Sequence, residues 1–326
     1  MSEKPAPECG GCCAERCAAG ADAGPLAVDI GGLVLKNPVM TASGTFGYGR
    51  EYAGLFDLSM LGAVVVKGTT LRPRDGNPPP RVVETPSGML NAIGLQNPGI
   101  EAFLATELPF LREHEVPVIL NIAGMTVGEY EEIARRVDGA EGLSAIEVNI
   151  SCPNTDEGGM TFGVSARLSE QVVSGVRRAT SLPVIAKLSP NVTSITEIAR
   201  ACVNGGANAI SLVNTLVGIV IDLKKRRPVL GNVTGGLSGP AIRPVAVRMT
   251  WEVSSAVDVP VIGMGGIACV EDALEFIMAG ATAVQVGSAM FADPLAPLKV
   301  IRGLERYVRD ERLASIRELV GTAKRK

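Results

Sequence analysis

Apolar residues along the chain fall into short runs of strand length, separated by stretches with helical spacing. Eight such runs follow residue 38, at 39–41, 63–67, 118–122, 145–150, 184–188, 209–213, 261–264 and 283–286. Within the fourth, Ile146, Val148 and Ile150 alternate with Glu147 and Asn149, the two-residue period of a pleated strand. Between runs the helical period takes over. Ile195, Ile198, Ala199 and Cys202 recur at i, i+3, i+4 and i+7, which predicts a helix over 194–204 and puts Cys202 in the core. Segment 271–279 opens with Glu271 and Asp272, acidic groups suited to a helix N-terminus, and stops at Gly280. Ahead of the first run, 27–30 and 33–35 flank Gly31-Gly32 and predict a small hairpin. The alternation predicts an α/β protein. Eight units favour a closed (β/α)8 TIM barrel with an N-terminal hairpin; an open doubly wound sheet gives no reason to stop at eight.

Two insertions interrupt the alternation. Residues 70–98 are rich in Pro and Gly, and 218–239 carry Lys224, Lys225, Arg226 and Arg227. Each follows a strand, so both are expected as long loops over the C-terminal mouth of the barrel, where they would bind or cover substrate. The basic run reads as a solvated face. No linker divides the chain after residue 25, so 25–326 is expected to be a single domain. Residues 1–24 read as a flexible tail. Its Cys9, Cys12, Cys13 and Cys17 have a C-x2-C-C-x3-C spacing that matches no strong metal template, and no metal site is expected.

Composition narrows the partners. The chain has 326 residues, 46% of them hydrophobic, ample for a large core. A net charge of −3 without a basic stripe, and only 4% aromatic residues, argue against nucleic-acid binding. No apolar run reaches the roughly 18 residues needed to span a bilayer. The first 24 residues lack the basic and apolar regions of a signal peptide. A cytoplasmic protein with reduced cysteines is the expectation.

Candidate chemistry gathers at the strand ends, where barrels of this kind build their sites. Pro153 cannot donate to a ladder, so the fourth strand is expected to end near Cys152. Most lone cysteines are small buried apolar residues. Cys152, however, lies between Asn149 and Asn154 at a loop mouth, which suits a general base acting at carbon. A Cys–His nucleophile does not fit as well, because His114 is the only histidine. Lys67 and Lys187 end otherwise apolar strands, where lysine is costly unless paired or used. They could stabilise a reduced flavin or a substrate carboxylate. Gly263-Met264-Gly265-Gly266-Ile267 and Gly287-Ser288 sit at the seventh and eighth strand ends, where phosphate is bound through backbone N–H groups. The carboxamides of Asn91-Ala92-Ile93-Gly94-Leu95-Gln96-Asn97, Asn149 and Asn214 could read a flat polar ring. Cys269 precedes a helix and is expected to pack.

Taken together, Lys67-Gly68, residues 91–97, the stretch Asn149 to Asn154, Lys187, Val213-Asn214-Thr215, Gly235 to Pro240, Gly265-Gly266 and Gly287-Ser288 resemble dihydroorotate dehydrogenase, in order and over nearly the whole chain. Cysteine at the base position is similar to the cytosolic class 1 enzymes; class 2 enzymes use serine and carry a membrane helix. Residues 91–97, Asn121-Ile122-Ala123-Gly124 and 235–242 resemble the NAD-dependent subtype, class 1B. The resemblance implies an FMN site formed by Ser43, Lys67, Gly68, Asn121, Asn149, Lys187, Val213, Gly239, Gly265, Gly266, Gly287 and Ser288. It implies a dihydroorotate site formed by Lys67, Asn91, Ala92, Ile93, Gly94, Leu95, Asn149, Asn214 and Thr215, with Cys152 as base. It further implies a homodimer within a heterotetramer, whose partner subunit carries FAD and a [2Fe-2S] cluster and passes electrons to NAD. The chain itself has no full nicotinamide fingerprint. Competing readings are the fumarate-dependent class 1A enzyme, a dihydropyrimidine dehydrogenase-like flavoenzyme, and a phosphate-binding barrel without chemistry.

Overall fold

The computed structural model describes residues 24–151, 153–154 and 160–324. The tail cysteines Cys9, Cys12, Cys13 and Cys17, and Cys152 itself, lie outside the described residues.

Eight parallel strands form one sheet, and we number them β1 (Val39–Thr41), β2 (Val64–Val65), β3 (Val118–Ile122), β4 (Leu143–Asn149), β5 (Val184–Lys187), β6 (Ala209–Leu212), β7 (Val261–Met264) and β8 (Ala283–Val286). Neighbours pair in sequence order from β2 to β8, and β8 pairs with β1. The ring closes between β1 and β2, where Met40 bridges Ala63. There the ladder is thin, and the Thr41 hydroxyl supplements it by accepting from the Val65 N–H at 3.0 Å. The sheet is therefore a (β/α)8 barrel, as the count of apolar runs predicts. β1, β3, β7 and β8 have the predicted bounds. β4 begins earlier, at Leu143, and ends at Asn149 rather than near Cys152. The backbone of Pro153–Asn154 instead pairs with Met160–Thr161 in a separate short hairpin.

Helices pack outside the ring on their apolar faces. Ile195–Asn204 buries Ile195, Ile198, Ala199, Ala201 and Cys202, and Ser194 caps it by accepting from the Glu197 N–H. Burial pushes the Cys202 thiol up to about 12, so it is an inert core residue. Val270–Met278 follows β7, and the Asp272 carboxylate accepts from the N–H groups of Ala268 and Cys269 at its start. Cys269 does not pack, contrary to expectation. It is exposed at the N-cap of this helix, because the capping turn directs the apolar face toward Ala273, Phe276 and Ile277 instead.

The predicted N-terminal hairpin forms from Val28–Asp29 and Val34–Leu35. Gly31, at a φ of +89°, lies so close to the Asn208 carbonyl before β6 that a Cβ would come within 2.3 Å of it. The hairpin thus plugs the N-terminal end of the barrel. At the other end the two insertions are not separate loops. Leu216–Gly218, Gly235–Ser238, Gly88–Asn91 and Val82–Thr85 make one four-stranded antiparallel sheet in that order. Leu90, Ala92 and Leu230 form a small core of its own beneath it. This sheet is a roof over the C-terminal mouth. Lys224, Lys225, Arg226 and Arg227 are exposed, as a solvated face requires.

Candidate active site under the roof

Pleating sends alternate residues of each strand into the barrel lumen. On β4 those are Ala145, Glu147 and Asn149. Lumens of this kind are ordinarily filled by branched apolar side chains; here a carboxylate occupies the centre. Glu147 is fully buried. Its Oε1 accepts from Asn121 Nδ2 on β3 at 2.7 Å and lies 3.3 Å from Lys187 Nζ on β5. Its Oε2 accepts from the Ser211 hydroxyl on β6 at 2.9 Å and from Gln285 Nε2 on β8 at 2.8 Å. Burial pushes this carboxyl up, but the Lys187 ammonium and the donors from Gln285, Asn121 and Ser211 outweigh it and hold it below the usual carboxylate range. Lys187 also donates to Ser43 Oγ at 3.2 Å, which ties β5 to the end of β1.

One layer toward the mouth lies a ring of carboxamides and hydroxyls. Asn149 Oδ1 accepts from the Ser151 N–H at 3.2 Å and from Asn214 Nδ2 at 3.4 Å. Asn214 Nδ2 also reaches Ser151 Oγ at 3.1 Å, and its Oδ1 accepts from the Thr215 N–H. The Tyr130 hydroxyl donates to the Asn149 carbonyl at 2.6 Å. Lys67 is half-buried, and burial, then the nearby Arg81 guanidinium, hold its ammonium below the ordinary lysine value. Its side chain has no ion pair among the described residues.

The roof contributes the remaining walls. Gly68 lies against Asn121 Oδ1 and the Leu95 side chain, so the 91–95 segment reaches the end of β2. Asn91 donates to the Gly236 carbonyl at 3.4 Å, and Gly236 packs directly on Thr215. Asn97, by contrast, is spent on structure: its Oδ1 accepts from the N–H groups of Thr70 and Gly99, and its Nδ2 donates to the Leu95 carbonyl.

At the ends of β7 and β8 the backbone turns outward. Gly265 and Gly266 take φ values of +125° and +80°, which side chains rarely adopt. A Cβ on Gly266 would meet the Gly239 carbonyl at 2.8 Å, so Gly239 of the roof closes on this turn. Gly287 lies beside Ala42 at the end of β1. Val213, buried, donates its N–H to the Met264 carbonyl. The N–H groups of Gly265, Gly266, Gly287 and Ser288 have no acceptor among the described residues. Four donors without a partner among the described residues thus stand at two adjacent strand ends.

The structure therefore brings every described residue of the predicted site to one end of one barrel. Glu147, Ser211 and Gln285 are the residues that sequence reasoning missed. In sequence Glu147 is only the polar member of an alternation; the available signal was that its side of β4 is the lumen side.

Comparison with known proteins places the chain in a family. Residues 25–308 match the family model described as dihydroorotate dehydrogenase. The chain belongs to the dihydroorotate dehydrogenase family. Among its relatives, proteins named dihydroorotate dehydrogenase B (NAD(+)), catalytic subunit, align over nearly their whole length. The one from Geotalea daltonii is 56% identical over 299 residues, covering 92% of this chain and 98% of that protein. The one from Desulforudis audaxviator is 58% identical over 299 residues, covering 92% and 97%. The Geotalea uraniireducens protein is 57% identical over 296 residues, covering 91% and 97%. Among the described residues no helix is long and apolar enough to cross a membrane.

Proposed function

We propose that this chain is the catalytic subunit of an NAD-dependent, class 1B dihydroorotate dehydrogenase, oxidising (S)-dihydroorotate to orotate in pyrimidine biosynthesis. The observation that carries the reading is the pairing of these four amides at β7 and β8 with a lysine and carboxamide ring under the same roof.

The residues present fit FMN. The amides of Gly265, Gly266, Gly287 and Ser288 suit its phosphate. Asn121 Oδ1 is buried and has no hydrogen-bond partner among the described residues, and Lys187 has a third N–H beyond those facing Glu147 and Ser43. Ser43, Lys67, Gly68, Asn149, Val213 and Gly239 complete the proposed FMN site within a single domain over 25–326. When bound, FMN supplies the hydride acceptor for C6 of dihydroorotate.

The chain's own groups do the rest. Lys67 offers a cation to the substrate carboxylate. Asn91, Asn149, Asn214 and Thr215 offer donors and acceptors to the ring amides, and Ala92, Ile93, Gly94 and Leu95 close the roof side. Cys152, three residues beyond Asn149, takes the proton from C5. The roof excludes water from the reacting carbons. A partner subunit carrying FAD and a [2Fe-2S] cluster receives the electrons and delivers them to NAD, and two copies of this chain stand in the heterotetramer.

The test is reconstitution. The FMN-loaded chain should be bleached anaerobically by dihydroorotate and not by dihydrouracil. Turnover with NAD should appear only when the flavin and iron–sulfur subunit is added. Equal turnover with fumarate by the chain alone would sink the NAD-dependent reading, and bleaching by dihydrouracil would sink the substrate.

A further inference from the structure

Glu147 has no role in the proposed binding or proton transfer, yet donors from four strands converge on it in the lumen. Stability does not account for it. Apolar residues of similar volume usually replace a buried ion pair without loss, and barrel lumens are normally apolar. Its contacts instead face the cofactor residues. Asn121 and Gln285 each give their NH2 to the carboxylate, which turns their oxygens away from it. Those oxygens, Asn121 Oδ1 and Gln285 Oε1, are buried and accept from nothing among the described residues. Lys187 is held from two sides, by Glu147 Oε1 and Ser43 Oγ, which leaves one N–H to be aimed.

We propose that Glu147 is a positioning residue for the flavin: it fixes the orientation of Lys187 and Asn121, and its charge offsets that of Lys187, so that Lys187 is held at the flavin without raising its reduction potential. This rests on the FMN reading above. An anion near the flavin opposes added electrons and a cation favours them, and burial strengthens both effects. With both present, the charges nearly cancel. Carboxylate protonation does not intervene at neutral pH, because its donors keep Glu147 ionised.

The experiment is a spectroelectrochemical titration of the FMN-loaded chain. Glu147→Gln leaves Lys187 without its counter-charge, and its midpoint should rise by at least about 30 mV, a tenfold gain in preference for reduced over oxidised flavin for a two-electron couple. The paired variant Glu147→Met with Lys187→Met removes both charges with apolar groups of matching length. Its midpoint should stay within that margin of the wild type, while its affinity for oxidised FMN falls about tenfold. An unchanged or lowered midpoint in Glu147→Gln overturns the proposal. So does a paired variant displaced beyond the margin, and that arm decides alone if Glu147→Gln yields no folded protein. A wild-type chain that takes up no FMN would instead sink the flavin reading, and this inference with it.

Discussion

Asn91 and Gly236, 145 residues apart in the chain, face each other across the central pair of the roof sheet, and the Asn91 carboxamide donates to the Gly236 carbonyl. The pairing holds a proposed substrate residue of the first insertion against the end of β6. Gly236 can lie there only because it lacks a side chain: a Cβ would come within 2.0 Å of Thr215 Oγ1. Gly236→Ala should therefore displace Thr215 and raise KM for dihydroorotate about tenfold, an effect of about 1.4 kcal/mol. FMN content should not change. Steady-state kinetics beside flavin quantitation would check it, and an unchanged KM would remove Thr215 from the substrate site.

Cys152→Ser tests the base. A hydroxyl is a far weaker base than a thiolate, so anaerobic flavin reduction by dihydroorotate at neutral pH should slow by about 10²-fold or more. Stopped-flow reduction at the wild-type rate would refute the assignment.

Lys67 predicts an alkaline limit on substrate binding. Burial and Arg81 both depress its pKa, so its cation is lost as pH rises while an ordinary lysine would still be charged. Affinity for the anionic substrate should fall through that inflection. Arg81→Gln removes the second cause and should move the inflection to higher pH; Lys67→Met should abolish it. Orotate binding followed against pH would show an unmoved inflection in Arg81→Gln if the idea is wrong.

Glu147 predicts an acid limit on stability. Its folded pKa lies below the ordinary carboxylate value. Such a group contributes stability that is fully present above the unfolded pKa and lost as pH falls through the folded one. Glu147→Ala leaves Lys187 buried and unpaired, which costs about 3–5 kcal/mol. Denaturant unfolding at neutral pH should read that loss, and the gap between variant and wild type should narrow in acid. A gap independent of pH would mean that the carboxylate is not ionised in the fold.

Much of this architecture is legible in the sequence because period and burial agree. β1, β3, β7 and β8 coincide with their apolar runs, and Cys202 sits on the face its spacing assigns. The rest depends on what meets what across the chain. Alternation places Glu147 on one side of β4, but only the closed ring makes that side a lumen shared with Asn121, Lys187, Ser211 and Gln285. The roof strands are equally hidden. Gly235-Gly236 carries no strand propensity, and its pairing with Leu90 and Asn91 is wholly non-local. The exposure of Cys269 is hidden as well, because spacing alone does not show the capping turn that holds it outside the packed face of its helix. Cys152 remains identified by its place in the chain alone, beyond the end of β4.

The roof also imposes an order on synthesis. Gly88–Asn91 emerges from the ribosome early but finds its inner partner only when Gly235–Ser238 has been translated. A nascent polypeptide halted before residue 235 would already hold six barrel strands, Lys67 and Lys187, yet could not enclose a substrate.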